Sequence, residues 1–157
     1  MSIIVSNLGF PRIGPRRELK FALEQYWSGK IPEEALQQTA EGLRAANWAL
    51  QKSAGIDHIP SNDFSLYDQV LDTSLMVGAI PDNYGWTGGN AALDTYFAMA
   101  RGSSANRGDR ICDIHGHDHA TGLTALAMTK WFDTNYHFMG PELKRNQVFT
   151  LASNKPV

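Results

Sequence analysis

The segment "IPEEALQQTAEGLRAANWALQKSAG" (residues 31–55) constrains the fold more than any other stretch, because it reads as one long amphipathic helix. Leu36, Thr39, Leu43, Ala46 and Leu50 advance by alternating steps of three and four, which lines them up as one core-facing stripe. Pro32 suits the first helical position, Glu33 and Glu34 complement the positive end of the dipole, Lys52 lies in the last turn, and Gly55 ends the helix. A helix of this length has to bury its stripe against other elements, and 157 residues are enough for one modest domain with a core.

The surrounding sequence supplies those elements. Residues 2–8 are apolar and β-branched, bounded by Gly9 and Pro11, and predict a buried strand. Leu19, Ala22, Leu23 and Tyr26 predict a helix from about Arg17 to Ser28, stopped by Gly29. Residues 57–81 begin as a turn-punctuated, strand-like piece and continue into a helical stripe of Leu66, Val70, Leu71 and Leu75. "NYGWTGGN" (83–90) lacks the Lys-Ser/Thr ending of a phosphate-binding loop and reads as plain loop, followed by a short helix over 91–102. Residues 103–122 are polar and glycine-punctuated, a surface loop or lid. Residues 123–138 pass from helix-like to strand-like, and 147–153 are a further strand candidate.

This order predicts an α/β fold of βα type with a parallel sheet. A parallel sheet needs both faces covered, and no helix follows the last strand candidate, so the order predicts a piece of something larger.

Bulk properties narrow the function classes. Hydrophobic residues make up 43% of the chain, charged residues 19%, and the net charge is −2. That balance gives no general attraction to nucleic acid or anionic membrane, so any basic feature acts locally. Cys112 is the single cysteine, which excludes an internal disulfide framework and fits a reducing cytoplasm. No apolar run approaches the ~20 residues of a membrane span, and the N-terminus lacks a basic secretory n-region. A cytoplasmic protein is expected.

Three stretches could carry chemistry. "CDIHGHDH" gathers Cys112, Asp113, His115, His117, Asp118 and His119 within eight residues. His115, His117 and His119 converge on one metal only along an extended strand, and catalytic zinc wants ligands on rigid elements, so a solvated loop is the favoured reading. Cys112 has no recognisable nucleophile context. "TKWFDTNYHF" (129–138) sets a cation, a carboxylate, an amide, a phenol and an imidazole among aromatic rings. Read as one strand, it places Lys130, Phe132, Thr134, Tyr136 and Phe138 on one face and Trp131, Asp133, Asn135 and His137 on the other. A pocket for a flat polar ligand and a strand with satisfied core polars both fit that pattern.

The third stretch is "GFPRIGPRRELK" (9–20), which crowds Arg12, Arg16, Arg17 and Lys20 into the start of a helix. That place favours acidic residues, as Glu33 and Glu34 illustrate on the next helix.

"LGFPRIGPRRELKFALEQYWSGKI", followed far downstream by "MTKWFDTNYHF", strongly resembles the N-terminal domain of cobalamin-independent methionine synthase, the 5-methyltetrahydropteroyltriglutamate–homocysteine methyltransferase family. The resemblance runs from about residue 3 to 101 and resumes at about 126. It implies a partial (βα)8 TIM-type barrel in which residues 1–157 are roughly the first half of the folate-side domain, with 103–122 a surface loop. It implies that the parent protein makes methionine by moving a methyl group from 5-methyltetrahydropteroyltri-L-glutamate to homocysteine. The folate polyglutamate tail would be held at Arg17, Glu18, Leu19 and Lys20 in the first motif and Lys130 in the second. Arg12 and Arg16 would add to the field, and Asp133 and Asn135 are plausible pocket residues. The cations at the helix start are then explained by a polyanionic ligand, gripped by cations and backbone N–H groups together. The zinc that activates homocysteine belongs, by the same resemblance, to a C-terminal barrel outside this chain, so no catalytic residue and no cofactor are expected here. Two other readings stay open: a non-catalytic truncated module that self-associates, and a metal-binding module built on the His115–His119 run.

Overall fold

A computed structural model describes residues 3–103 and 122–151. These fall into two compact units, residues 3–66 and 67–151.

In the first unit, helix α1 (Glu18–Trp27) and helix α2 (Glu33–Ser53) pack against each other. The face of α1 chosen by sequence periodicity is the buried one: Leu19, Ala22, Leu23 and Tyr26. Pro32 occupies the position just before α2 rather than its first turn. The α2 stripe holds only at its N-terminal half. Leu36 is fully buried and Ala40 joins it, whereas Ala46 and Leu50 are exposed and line a cavity of about 310 Å³ with Phe10, Pro11, Gly14, Pro15 and Asn47. Gln51 is buried in their place, because its side chain is satisfied at both ends: its Oε1 accepts from Asn7 Nδ2 (2.8 Å) and its Nε2 donates to the Asn47 carbonyl (3.1 Å).

The expected buried strand at 2–8 is not found. Residues 3–8 are extended and make one isolated parallel bridge, Ser6 to His58, while Ile3, Ile4, Val5 and Leu8 are exposed. The chain there meets residues 57–58 through the Val5 carbonyl and the Asp57 carboxylate, and a ladder needs more partners than that.

The second unit contains helix α3 (Gln69–Met76), a single 3-10 turn (Asp82–Tyr84), helix α4 (Leu93–Arg101) and a two-stranded sheet of β1 (Met128–Lys130) and β2 (His137–Met139). Its core is Leu71 and Leu75 from α3, Tyr96 to Ala100 from α4, Met139 from β2, and Leu126 just before β1. Gly102 ends α4 at φ +71, and a Cβ there would strike the Leu123 carbonyl at 2.6 Å.

The described sheet is antiparallel, pairing Met128 with Met139, Thr129 with Phe138 and Lys130 with His137. Residues 129–138 are therefore a hairpin and not one strand, and the alternating faces expected of them do not exist. The cause is local. Phe132 adopts φ +48, Trp131 N–H donates to the Tyr136 carbonyl, and Thr134 donates to the Trp131 carbonyl, which closes a turn in the middle of the motif. Residues 147–151 form no strand; Thr150 N–H meets the Val77 carbonyl at 3.1 Å and nothing propagates from it. The described residues thus make a mixed helix-and-sheet assembly.

Candidate functional site

The first cationic motif is shaped before its helix begins. Gly14 sits at φ +85, which a side chain would strain, and Arg17 N–H donates to the Gly14 carbonyl (3.1 Å) to close the turn. Arg17 itself is left-handed, at φ +64 and ψ +31, immediately before α1. Leu19 N–H then donates to the Ile13 carbonyl (3.1 Å), and Phe21 N–H to the Arg17 carbonyl (3.2 Å).

Glu18 folds its carboxylate back over this turn. Oε2 accepts from Arg16 N–H (2.9 Å) and Oε1 from Arg16 Nε (3.1 Å). Hydrogen bonding to its own N–H, and then to the Arg16 backbone and side chain, holds this carboxyl below the usual carboxylate range in spite of some desolvation. The N–H groups of Arg16, Arg17 and Leu19 are therefore engaged within the motif, and the charged side chains are what it offers outward.

Those side chains differ in their employment. Arg12 sends Nη1 to the carbonyls of Ser65 and Leu66, both at 3.0 Å, and ties the motif to the segment before α3. Arg16 pairs with Glu18 while remaining largely exposed. Lys20 lies 3.4 Å from Glu24 one turn on, partly exposed. Leu19 is fully buried in the α1–α2 core. The Arg17 guanidinium is exposed and forms no hydrogen bond or ion pair among the described residues.

The second motif belongs to the other unit and is a hairpin with an exposed aromatic turn. Trp131 stands edge-on to Phe132 (centroids 5.7 Å apart) and to Phe138 (5.2 Å). Lys130, at the end of β1, faces His137 across the ladder, and Lys130, Asp133 and Asn135 are all exposed. The hairpin is fastened to α3 by Asp68, whose Oδ2 caps the helix by accepting from Leu71 N–H (3.0 Å) and also accepts from Met139 N–H (3.1 Å).

Among the described residues, Arg17 and Phe132 are the two non-glycine positions with positive φ. One lies in each motif, Phe132 being two residues after Lys130. A left-handed conformation costs about 1–2 kcal/mol for an ordinary residue, and such strain collects at binding and catalytic sites. Gly14 and Asp68, which shape the two motifs, were not singled out from the sequence. Asp68, placed just before the apolar run of α3, carries the helix-cap signal that would have found it.

Among the described residues, no three His, Cys, Asp or Glu side chains are grouped to hold a metal ion, and no helix is long and apolar enough to cross a membrane. Cys112, His115, His117 and His119 lie outside the described residues.

Comparison with known proteins bears on the same motifs. The family model described as "Cobalamin-independent synthase, N-terminal domain" matches residues 4–157. A protein of Caulobacter vibrioides named 5-methyltetrahydropteroyltriglutamate–homocysteine methyltransferase is 58% identical over 159 aligned residues, covering 100% of this chain. Proteins of the same name from Bradyrhizobium diazoefficiens and Nitrobacter winogradskyi are 61% and 62% identical, over 100% and 98% of the chain. In each case the match spans 20% of the relative, so the chain covers about one fifth of the length of the curated proteins it resembles.

Proposed function

Because the chain belongs to the cobalamin-independent synthase family, within its N-terminal domain, we propose that it serves a methyltransferase that moves a methyl group from 5-methyltetrahydropteroyltriglutamate to homocysteine, and that this segment grips the triglutamate tail. The observation that carries the tail-binding role is Arg17: an exposed, left-handed arginine whose guanidinium has no partner among the described residues, at the head of α1. Backbone strain is retained there although glycine would relieve it, and what glycine would remove is the charge.

Lys20 and Arg16 extend the positive field along the same turn, and Lys130 presents a further cation beside the strained turn of the hairpin. Arg17, Lys20 and Lys130 are the tail-binding cations. Glu18 and Leu19 belong to the same motif through its backbone, while Arg12 acts by holding the motif to the Ser65–Leu66 carbonyls. Asp133 and Asn135, exposed polar residues of the same hairpin as Lys130, are the lesser members of the set. In fold terms, residues 1–157 are the opening part of a (βα)8 barrel in a cytoplasmic enzyme, with the Ser6–His58 parallel bridge as the first contact of its sheet.

Chemically, the segment supplies remote binding energy that orients the methyl donor. The thiol-activating zinc chemistry and the homocysteine site are assigned, by the resemblance, to a C-terminal barrel of the full-length enzyme; this chain spans about one fifth of the length of its curated relatives.

Each exposed cation pairing with a carboxylate contributes roughly 0.2–1 kcal/mol, up to about fivefold in affinity. Replacing Arg17 or Lys20 by Ala in the full-length protein should therefore raise KM for the triglutamate substrate up to about fivefold per cation, with a much smaller change for the monoglutamate. Equal effects on the two substrates would remove the tail-binding role.

A further inference from the structure

A carboxylate in the middle of a polyanion-binding motif is an electrostatic contradiction, since Glu18 lowers the very field that Arg16, Arg17 and Lys20 create. The structure resolves it through where the carboxylate goes. It is seated inward, on the 14–16 turn, with Oε2 on Arg16 N–H (2.9 Å) and Oε1 on Arg16 Nε (3.1 Å). Its seat is made by the missing side chain of Gly14: a Cβ at that position would lie 2.3 Å from Glu18 Oε2 and 2.9 Å from Leu43 Cδ2. The glycine is thus required twice, once by its φ of +85 and once by the carboxylate that fills the space beside it.

We propose that Glu18 is a positioning residue, a clasp that fixes the Gly14–Arg17 turn and thereby aims the Arg17 guanidinium at the glutamyl tail. The geometry links the two directly. Arg17 N–H closes onto the Gly14 carbonyl, and the residue between them in the clasp, Arg16, is held at both its backbone and its side chain. With those donors anchored, the left-handed backbone of Arg17 is over-determined by its neighbours, the condition under which strained conformations persist. Glu18 contributes through the arrangement of Arg17 and touches no ligand. This inference rests on the tail-binding reading above and deepens it.

The opposite role is physically distinct. Were Glu18 a stand-in for a ligand carboxylate, leaving when the tail arrives, neutralising it would strengthen tail binding. The clasp demands the reverse sign.

The test is calorimetric binding to the full-length protein of 5-methyltetrahydrofolate carrying one or three glutamates. The readout is the ratio of triglutamate to monoglutamate affinity, for Glu18→Gln, Gly14→Ala and Arg17→Ala. A control, Glu34→Gln, removes an equal charge from the first turn of α2. The clasp predicts that Glu18→Gln lowers the ratio by up to about fivefold, the full contribution of one exposed cation once Arg17 is no longer aimed, although it removes a negative charge. Gly14→Ala should lower it alike by evicting the carboxylate, Glu18→Asp should fail to rescue because it is one carbon short, and Glu34→Gln should leave it unchanged. A ratio that rises or stays level in Glu18→Gln, while Arg17→Ala lowers it, overturns the clasp alone. A ratio untouched by Arg17→Ala overturns the tail-binding reading and the clasp with it.

Discussion

Tyr96 allows a stability prediction worked entirely from contacts within the second unit. Its ring lies wholly buried on α4, edge-on to Phe97 at 5.2 Å. Its hydroxyl donates to Asp72 Oδ1 on α3 (2.6 Å) and accepts from the N–H groups of Tyr67 (3.0 Å) and Asp68 (3.3 Å). Burial pushes the phenol far above its ordinary value of 10.0; the charge of Asp72 and the hydrogen bond given to it push the same way, and the two N–H donors offset only part of this. The sign follows. Below pH 10 the phenol is protonated in both states and its stabilising contribution is complete. Above pH 10 the unfolded chain loses this proton and the folded chain keeps it, so stability falls by about 1.4 kcal/mol per pH unit on account of Tyr96 alone. Between pH 10 and 11.5 that amounts to about 2 kcal/mol, a sizeable share of the roughly 5–15 kcal/mol that holds a domain together. The assay is urea unfolding of the chain and its Tyr96→Phe variant from pH 7 to 11.5. At neutral pH the variant should be less stable by about 1.5–3 kcal/mol, because the buried Asp72 carboxylate loses a donor. Above pH 10 the two curves should converge, since only the parent carries the penalty. Tyr84, whose phenol is also raised by burial, contributes equally to both and cancels. A difference that stays constant from pH 8 to 11.5 would refute the claim that this hydroxyl is held protonated.

Arg12→Ala should cost about 1–3 kcal/mol of stability through the lost contacts to the Ser65 and Leu66 carbonyls, read by thermal unfolding, with triglutamate binding retained in the folded fraction. Leu36→Ala, at a fully buried site on α2, should cost about 2–5 kcal/mol in urea unfolding, whereas Leu50→Ala, 56% exposed, should stay within about 0.5 kcal/mol. Arg17→Gly should raise stability by about 1 kcal/mol by relieving the left-handed backbone while weakening triglutamate binding, and Arg17→Ala should weaken binding with no gain in stability.

The helices were legible because their signals are local. The face of α1 and the N-terminal half of α2 follow from period alone, and Gly29, Gly55 and Gly102 end their helices at positive φ as their placement suggests. The C-terminal half of α2 was not legible, since whether Leu50 or Gln51 faces inward depends on Asn7, 44 residues away in sequence. The hairpin was missed for a different reason. "TKWFDTNYHF" contains no glycine or proline to mark a turn, and the turn is made instead by Phe132 in a conformation that its side chain disfavours. In the candidate site, the cationic cluster was visible as a charge anomaly at a helix start. The division of labour within it was not, because Arg12, Arg16 and Arg17 are alike in sequence and differ only in the partner each side chain meets.

On the proposed tail-binding role, that division bears on how a chain of net charge −2 would select a polyanion at all. Exposed ion pairs are individually weak, so a tail of carboxylates is held by number and simultaneity, each further carboxylate meeting a cation already at close range. Simultaneity requires that the cations be fixed before the ligand arrives, because every rotamer frozen on binding subtracts from the gain. On that proposal the first motif would meet this requirement with backbone rather than with side-chain packing: Gly14 admits the Glu18 carboxylate, the carboxylate bonds Arg16, and Arg17 sits in a left-handed conformation. A helix N-terminus with free N–H groups would bind one carboxylate and then be full. Committing those N–H groups internally and projecting guanidinium and ammonium groups outward would give, on the proposed role, a surface that scales with the length of the tail, as discrimination between one glutamate and three requires.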